Sequence, residues 1–541
     1  MKLKKLTIKN FRGLKGDKNI IDFSTSEIIF LLGQNNIGKS SFLRAYEFFV
    51  DSKQKSLITD FYNHDVGIPI EIEAEFIVEG LESEPNWVNN WSDSNHIVKI
   101  KKVWSALERE CVKYTWNPQS TENKKWETGG FGGFDSFITK YAPTPISINA
   151  METEDSLEEK VNKMINDDFL KSAKSNYTVE YTAAETAIKN LQNAVIGSSE
   201  IASKNTAINS HFQKIFPTLE LEIRAKNEEI KLVDSLKKNH SVNVKKAGST
   251  GGREETFRQN GHGIIRQALF NFLAFLKEIS APESGKKEYI ILFEEPELFL
   301  HPKVAYALRK SLYELVGNSS YQILCASHSP LMIDISKPKS SLVRVCKYVD
   351  DITETFQVGD ELFQKNDEQK KMVQMINRFN SNICEAFYAD KVILVEGDTE
   401  AIIFRDLLER FYPQEEIYVL NTGSKNNIPF FQEALCHFKI KHFIIHDTDI
   451  EEKTSAWTLN RKIWEKIETR ISRRYVFKDT FEVAHSYSYN TSKGKPLSAY
   501  EYAQGIQSIE EDKDCVKFLK DICSDSPSIN HTQEYIEGLF F

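Results

Sequence analysis

The sequence has few cysteines, and none of them are spaced as the close pairs that bind structural zinc. Its seven cysteines stand at positions 111, 325, 346, 384, 436, 515 and 523, with no Cys-x-x-Cys among them. This spacing disfavours both a structural zinc site and a framework of disulfides. We therefore expect a protein of the reducing cytoplasm.

Long hydrophobic runs are also missing. No stretch of 18 apolar residues occurs anywhere in the chain, so we expect no membrane span. The opening residues, "MKLKKLTIKNF", alternate like a β-strand and lack the apolar core of a signal peptide.

An excess of positive charge is the third absence. Lys and Arg number 69 against 78 Asp and Glu, for a formal net charge of −9. A nucleic-acid partner would have to be met by a local basic surface or by bound metal ions. The charge balance therefore argues against indiscriminate coating of DNA, and it leaves a nuclease open.

A phosphate-binding loop is the clearest motif present. In "EIIFLLGQNNIGKSSFLRAY" (27–46) an apolar strand leads into Gly33-x-x-x-x-Gly38-Lys39-Ser40, and a helix follows from Ser41. Backbone amides of such a loop surround phosphates, the lysine reaches the β- and γ-phosphates, and the serine ligates Mg²⁺. A glycine-rich turn is the alternative. We predict that ATP or GTP binds here, at Gly33, Asn35, Asn36, Gly38, Lys39, Ser40 and Ser41.

Two further strands end in residues suited to nucleotide hydrolysis. "KEYIILFEEPELFLHP" (287–302) places Glu294 where a ligand of Mg²⁺ and its waters belongs, and Glu295 where it could polarise an attacking water. "YQILCASHSP" (321–330) ends in His328, which is placed to sense a γ-phosphate. Singly, an acid pair is often a solvated turn and a lone histidine is often structural. Three such strand ends in this order predict an ATPase.

This order of motifs resembles the ATP-binding-cassette heads of the SMC, Rad50 and RecF type. In such heads a signature loop reaches the γ-phosphate of a partner head, and "NGHGIIRQALF" (260–270) occupies its place. The resemblance implies that Gly261 and Gly263 contact nucleotide and that the protein is at least a homodimer. Gly261-His262-Gly263 departs from the usual Ser-Gly-Gly, and Glu294 stands where Asp is commoner.

A second set of acids follows strands near the C-terminus. "DKVILVEGDTEAIIFRDLL" (390–408) carries Glu396 and Glu400 across a strand-to-helix turn, and "IKHFIIHDTDIEE" (440–452) carries Asp447 and Asp449 on one face. Four clustered carboxylates repel one another unless divalent cations neutralise them, and oxygen ligands suit Mg²⁺ or Mn²⁺. The alternative is that these acids are polar caps. Paired ions of this kind activate water for phosphodiester cleavage.

The second pattern resembles a Toprim domain, which topoisomerases, primases and several nucleases share. In Toprim domains of the OLD (overcoming lysogenisation defect) family, a further acid and then a lysine follow downstream. The resemblance therefore implies roles for Glu482 in "FKDTFEVAH" and for Lys495, or Lys493, in "NTSKGKPLSAYEYA".

An ATPase head followed by a Toprim domain in one chain resembles the OLD family of ATP-regulated nucleases. The resemblance implies metal-dependent cutting or nicking of DNA and a role in bacterial antiphage defence, of the Gabija or retron-associated kind. A partner, either a reverse transcriptase with its RNA/DNA product or a helicase-like subunit, would supply activities that this chain lacks. A topoisomerase or primase is a second reading, and an SMC-like scaffold with an inactive Toprim domain is a third.

The sequence predicts an α/β protein with an interrupted head. We expect head segments at 1–150 and 236–350, a helical insertion at 151–235, a linker helix at 351–388, and a Rossmann-like Toprim domain with a helical extension at 389–541. The insertion could form a dimerisation arm or a solvated helical pair on its own domain.

Overall fold

The computed structural model describes the N-terminal 150 residues and the C-terminal half of the chain, with gaps. Described are residues 1–51, 53–79, 90–120, 125–128, 138, 141–150, 288–316, 321–332, 334, 342–358, 381–449 and 454–539, and isolated positions between 159 and 256. The chain divides into two units, Met1–Ala150 with Ser280–Phe541, and Met151–Ile279. The predicted helical insertion and its dimerisation role, together with Gly261 and Gly263, lie outside the described residues.

The secondary structure alternates between strands and helices in the first unit. The strands are β1 (Lys2–Lys9), β2 (Asn19–Asp22), β3 (Ile28–Leu32), β4 (Ile70–Ile77), β5 (Ile97–Trp104), β6 (Val112–Trp116), β7 (Trp126–Thr128), β8 (Thr144–Ile148), β9 (Asn243–Val244), β10 (Glu255–Thr256), β11 (Tyr289–Glu294), β12 (Tyr321–Ala326), β13 (Leu342–Lys347), β14 (Thr353–Gln357), β15 (Lys391–Val395), β16 (Ile417–Asn421), β17 (Lys441–Asp447) and β18 (Ser472–Phe477). The helices are α1 (Lys39–Val50), α2 (Pro302–Val316), α3 (Asp398–Phe411), α4 (Ile428–His437), α5 (Thr454–Glu465), α6 (Phe481–Ala484), α7 (Lys495–Gly505), α8 (Asp514–Ile522) and α9 (Gln533–Gly538).

A six-stranded antiparallel sheet opens the chain, in the order β2-β1-β4-β5-β6-β7. Strand β4 alternates between buried and partly exposed residues along its whole length, as expected for a sheet with one face on the core. Helix α1 packs into the same core, to which it contributes Phe42, Tyr46 and Phe49.

The second sheet, here called the head sheet, runs β14-β13-β3-β12-β11-β8. All of its neighbouring strands are parallel except β14, which is antiparallel to β13. Every residue of β3 is buried, because α1 covers one face of the sheet and Tyr313 of α2 contacts Phe30 on the other. Strands β3, β12 and β11 are neighbours, so their carboxyl ends meet at one edge, as the sequence predicts.

The predicted linker helix at 351–388 is wrong over its described beginning. Thr353–Gln357 forms the edge strand β14 of the head sheet, with alternating side chains that suit a strand. The amide of Ile20 donates to Thr355 Oγ1 and that of Asp22 to Gln357 Oε1, both at 2.9 Å, so the strand also joins the two sheets. A 3₁₀ helix, Ser381–Phe387, leads into the next domain.

The third sheet, here called the C-terminal sheet, has four strands in the order β16-β15-β17-β18. All three pairings are parallel, which confirms the predicted Rossmann-like arrangement. Side chains of α3, α7 and α8 share one core with the sheet, including Phe404, Ala499 and Phe518. Across the described residues, the structure contains no helix long and apolar enough to cross a membrane.

Candidate nucleotide and metal sites

The phosphate loop joins β3 to α1, and its two glycines are required by its shape. Gly33 and Gly38 have φ angles of 140° and 104°, in the region that favours glycine. A Cβ on Gly33 would lie 2.6 Å from the carbonyl oxygen of Val345, and one on Gly38 would lie 2.8 Å from Leu14 Cδ2. The backbone can therefore approach a phosphate closely only with glycine at both positions.

Lys39 is held by the loop that it would help to bind phosphate. Its Nζ donates to the carbonyl oxygens of Gly33 and Gln34, each at 2.6 Å, and lies 3.3 Å from His328 Nδ1. Burial lowers the pKa of Lys39 to about 8, and the nearby Glu295 and Glu297 offset part of that effect. The ammonium has no anionic partner within ion-pair distance among the described residues. A phosphate would supply one.

The other predicted loop residues have accessible positions. Asn35, Asn36 and Ser40 are exposed, and the amide of Ser41 donates to the carbonyl of Gly38 at 2.9 Å as α1 begins. This places the Ser40 hydroxyl at the open start of the helix, where a metal bound to phosphates could be reached.

The predicted carboxylates lie at the same edge. Glu294 ends β11, and the amide of Glu295 donates to the carbonyl of Ala326 at the end of β12, at 2.7 Å. Glu295 Oε1 lies 3.8 Å from His328 Nε2. The structure therefore brings Lys39, Glu295 and His328 together, and burial with the nearby Lys39 lowers the pKa of His328, which favours its neutral form.

Glu297 is a residue of this edge that the sequence analysis did not assign. Its Oε1 accepts from the Ser327 hydroxyl and from the amide of His328, both at 2.9 Å, and burial raises its pKa. It therefore fixes the segment that carries His328. The second acid of Glu295-Pro296-Glu297 was the available signal.

The acid cluster forms where β15 and β17 end side by side. Glu396 follows β15, and its Oε1 accepts from the amide of Asp447 at 2.8 Å. Glu400 lies in the first turn of α3, folded over Gly397, where an added Cβ would be 3.4 Å from Glu400 Oε2. Burial raises the pKa of Glu396 to about 7, and it also raises the pKa of Glu400 and of Asp447, the latter with help from the neighbouring carboxylates.

Asp447 offers the observation that fits a bound cation. It is 9% exposed, and its Oδ1 has no hydrogen-bond partner among the described residues. A buried carboxylate oxygen without a partner costs free energy unless a cation or donor meets it. Asp449, two residues on, takes a φ of 48° that turns it back toward the cluster. Oxygen donors of this kind suit Mg²⁺ or Mn²⁺.

The cluster is not yet closed around a metal. No three of its acids converge tightly enough to hold an ion within the part of the chain that the structure describes. Lys425, which the sequence analysis missed, lies among them instead. Its Nζ donates to the carbonyl of Asp447 and to Asp449 Oδ2, the latter at 2.8 Å, and lies 3.9 Å from Glu396 Oε1.

Glu482 and Lys495 both lie close enough to act on Glu400. The carboxylate of Glu482 raises the pKa of Glu400, and the ammonium of Lys495 lowers it. Lys493 instead pairs with the exposed Glu501, at 2.7 Å. Of the two lysines left open by the sequence, the geometry favours Lys495.

The two sites are joined through the beginnings of the C-terminal strands. Gln34 of the phosphate loop donates to Asp390 Oδ2 at 2.9 Å and to Glu416 Oε2 at 3.0 Å, and these residues directly precede β15 and β16. Arg344 of β13 donates to Asp390 Oδ1 at 2.9 Å and to the carbonyl of Phe438 at 3.0 Å, shortly before β17.

Comparison with known proteins agrees with this division. A family model described as the AAA ATPase domain matches residues 1–333. The chain belongs to this ATPase family. A second model, described as the overcoming lysogenization defect protein-like Toprim domain, matches residues 387–449, which include the acid cluster. The AAA-family ATPase head and the Toprim domain are thus the two parts predicted from sequence.

Two curated relatives span both parts. The Old nuclease of Escherichia phage P2 is 24% identical over 476 residues, which cover 83% of this chain and 77% of the relative. Endonuclease GajA of Bacillus cereus strain VD045 is 24% identical over 492 residues, covering 84% of this chain and 76% of the relative.

Among solved structures, an Smc head bound to the C-terminal winged-helix domain of ScpA superposes with a TM-score of 0.39 at 14% identity, covering 68% of this chain and all of that one. The superposition is loose, so the architecture of the ATPase head rests on the strand order of the chain itself.

Proposed function

We propose that this protein is a DNA endonuclease that requires a divalent metal and whose cutting is controlled by ATP at its head. An ATPase domain and an OLD-like Toprim domain in one chain, with relatives named as nucleases, make it a nuclease enzyme that carries an ATPase. The observation that carries the metal requirement is the buried, unpartnered oxygen of Asp447 among three other carboxylates.

The acids of the Toprim domain have distinct roles in this proposal. Glu396, Asp447 and Asp449 would hold Mg²⁺ or Mn²⁺, which supplies an activated water and charge for the leaving oxygen. Water oxygen bonds to phosphorus as the P–O bond to the leaving strand breaks, and that strand's oxygen takes a proton. Glu400 and Glu482 lie on the side from which Lys495 would neutralise charge on the phosphate.

At the head, the proposed roles follow the geometry of the sheet edge. Lys39 and the loop amides bind the nucleotide phosphates, and Ser40 and Glu294 hold its Mg²⁺. Glu295 polarises the attacking water, and His328 lies close enough to Lys39 to contact the γ-phosphate. Gly261 and Gly263 of a second copy would complete the site, so we include a homodimer in the proposal.

Control by ATP is supported by the junction between the two domains. The loop that binds phosphate also binds the entry of β15 and β16 through Gln34, and the exits of these strands carry Glu396 and Lys425. A five-residue strand spans roughly 17 Å, so a shift at its entry is carried as a rigid displacement to its exit. Nucleotide that draws Lys39 away from the Gln34 carbonyl would change this contact.

Nicking of supercoiled plasmid tests the nuclease proposal. The wild-type protein should cut with Mn²⁺ and stop when the metal is chelated, and Glu396→Ala should lose cutting by at least about 1,000-fold, since a metal contributes several kcal/mol to such a reaction. Glu409→Gln, an exposed acid on α3, is the matched control and should cut normally. Cutting that resists chelation, or full activity of Glu396→Ala, would contradict the proposal.

Titration of ATP tests the control. Wild-type cutting should change with ATP concentration, and Gln34→Ala should weaken that response while ATP still binds, because its backbone carbonyl is kept. Equal cutting by both proteins at every ATP level, with no response in either, would show that the two sites act independently.

An antiphage role is a further part of the proposal, supported by the likeness to GajA and to a phage-encoded nuclease. Cells that carry the gene in its native neighbourhood should plate phage less efficiently than cells carrying the Glu396→Ala variant. Purification from those cells would identify any reverse transcriptase or helicase-like partner.

A further inference from the structure

Lys425 lies in a rigid turn at the centre of the acid cluster. Gly423, with a φ of 72°, turns the chain after β16, and Lys425 begins the short 3₁₀ helix that follows. The hydroxyl of Thr422 donates to the carbonyl of Val395 at 2.9 Å, and the amide of Asn427 donates to the carbonyl of Thr422 at 2.7 Å. The base of the lysine is therefore fixed to β15, and only its side chain is free to move.

The ammonium group occupies the space between ligands that a metal would use. Lys425 is 7% exposed, and its Nζ contacts Asp449 Oδ2 at 2.8 Å and the backbone carbonyl of Asp447, with Glu396 Oε1 at 3.9 Å. Cation–oxygen distances of about 2.1 Å for Mg²⁺ or Mn²⁺ would bring an ion held by Glu396 and Asp449 within a few ångströms of Nζ. Two cations so close repel strongly in a buried site.

We propose that Lys425 is an internal counter-cation of the metal site: it holds the carboxylates together in the metal-free protein and releases Asp449 and the Glu396 side of the cluster when a divalent cation enters. The inference rests on the proposed metal site and adds to it a residue that sets metal affinity. A long, flexible side chain on a fixed turn suits this exchange, because the ammonium can swing aside while the strands keep their register.

The competing role for Lys425 makes the opposite prediction. If the lysine instead holds the ligands in the geometry that the metal needs, its removal weakens metal binding. If it competes with the metal, its removal strengthens metal binding, because one repelling charge is gone and Asp449 loses its partner. The sign of the change in affinity therefore separates the two.

The test is a titration of the full-length, nucleotide-free protein with Mn²⁺, followed by electron paramagnetic resonance of the free ion. Lys425→Gln, which removes the charge and keeps a polar side chain, should bind Mn²⁺ with a Kd about tenfold lower than wild type. Lys439→Gln is the matched control: it changes net charge equally, its partner is the surface residue Glu468 at 3.1 Å, and its Kd should equal that of wild type.

A second measurement is thermal unfolding without metal. Lys425→Gln should melt at a lower temperature than wild type, and Mn²⁺ should raise its Tm by more than it raises that of wild type. Lys425→Arg, which keeps the charge, should not bind Mn²⁺ more tightly than wild type. If Lys425→Gln folds only when Mn²⁺ is present, this also supports the proposal, since the metal then replaces the ammonium.

Equal or weaker Mn²⁺ binding by Lys425→Gln, or failure of this variant to fold even with Mn²⁺, would overturn the inference. The proposed function fails separately: if Glu396→Ala binds Mn²⁺ as wild type does, the acids do not form the metal site at all. Tight binding that depends on Glu396 but is unaffected at Lys425 would leave the metal site standing and reject the counter-cation.

Discussion

The ATPase head and the Toprim domain each hold a buried lysine in a turn after a parallel strand, and the two lysines have opposite surroundings. Lys39 donates to the carbonyls of Gly33 and Gln34, with an imidazole as its nearest side chain. Lys425 donates to a carbonyl and to Asp449, with more carboxylates beyond. The first lysine lacks an anion and the second is outnumbered by anions, so the same residue type indicates a phosphate site in one domain and a cation site in the other.

The pKa values show the same contrast. Burial lowers the pKa of Lys39 to about 8 and raises that of Glu396 to about 7, because both groups lose water around their charged form. Each site is therefore electrostatically incomplete in the free protein. A nucleotide would complete the head, and a divalent cation would complete the Toprim domain.

Removing Lys39 should break the head half of this comparison and leave the other half intact. Lys39→Ala should weaken ATP binding by roughly 100-fold or more, because the phosphates lose a buried charge partner, while Mn²⁺ affinity stays unchanged. Equilibrium binding of both ligands measures this. Lys310→Ala, an exposed lysine of α2, should bind ATP normally.

Glu295→Gln separates binding from hydrolysis at the same edge. It should bind ATP but hydrolyse it slowly, since its carboxylate is assigned to the attacking water. Should it bind ATP as poorly as Lys39→Ala, the assignment of Glu295 to the water would be incorrect.

The two candidate lysines of the Toprim domain offer a smaller effect. Lys495→Ala should slow cutting by about 100-fold at saturating Mn²⁺, with little change in Mn²⁺ affinity, because it stabilises charge on the phosphate and not the metal. Lys493→Ala should cut nearly as wild type, since that lysine is paired with Glu501 at the surface. The reverse pattern in single-turnover cleavage would exchange the two assignments.

Changing pH should move the two affinities in opposite directions. Lys39 is charged below about pH 8 in the free head, so ATP affinity should be level there and fall by up to tenfold per unit above it. Glu396 is protonated below about pH 7, so Mn²⁺ affinity should rise through pH 7 and then level. Titrations from pH 6 to 9 check both. Curves that move together would show that the sites do not differ in charge as described.

The sequence was sufficient where chemistry follows a strand end directly. Gly33, Lys39 and His328 could be grouped because buried strands precede each segment and parallel strands share an edge, and the same reasoning located Glu396 and Asp447. Lys425 escaped because "NTGSK" has the composition of an ordinary turn. Its approach to Asp449 depends on strand order, with β16 beside β15 and β15 beside β17, and no local pattern encodes that order.

Contacts between domains were equally out of reach. Gln34 occupies a variable position of the phosphate-loop pattern, and Arg344 lies in an apolar strand with no motif around it. The mistaken linker helix has a related cause, since Thr353–Gln357 becomes a strand through its pairing with β13 and its side-chain bonds to β2. Long-range partners overrode the local pattern.

Arg344 also bears on how the two domains can diverge in the course of evolution. Its guanidinium is buried, and two of its three acceptors are backbone carbonyls, those of Ala389 and Phe438, with Asp390 as the only side chain. A socket built from main chain depends on the path of the backbone and very little on the residues that line it. The Toprim sequence can therefore drift at 389 and 438 without loosening its attachment to the head, so long as the arginine on the other side is kept.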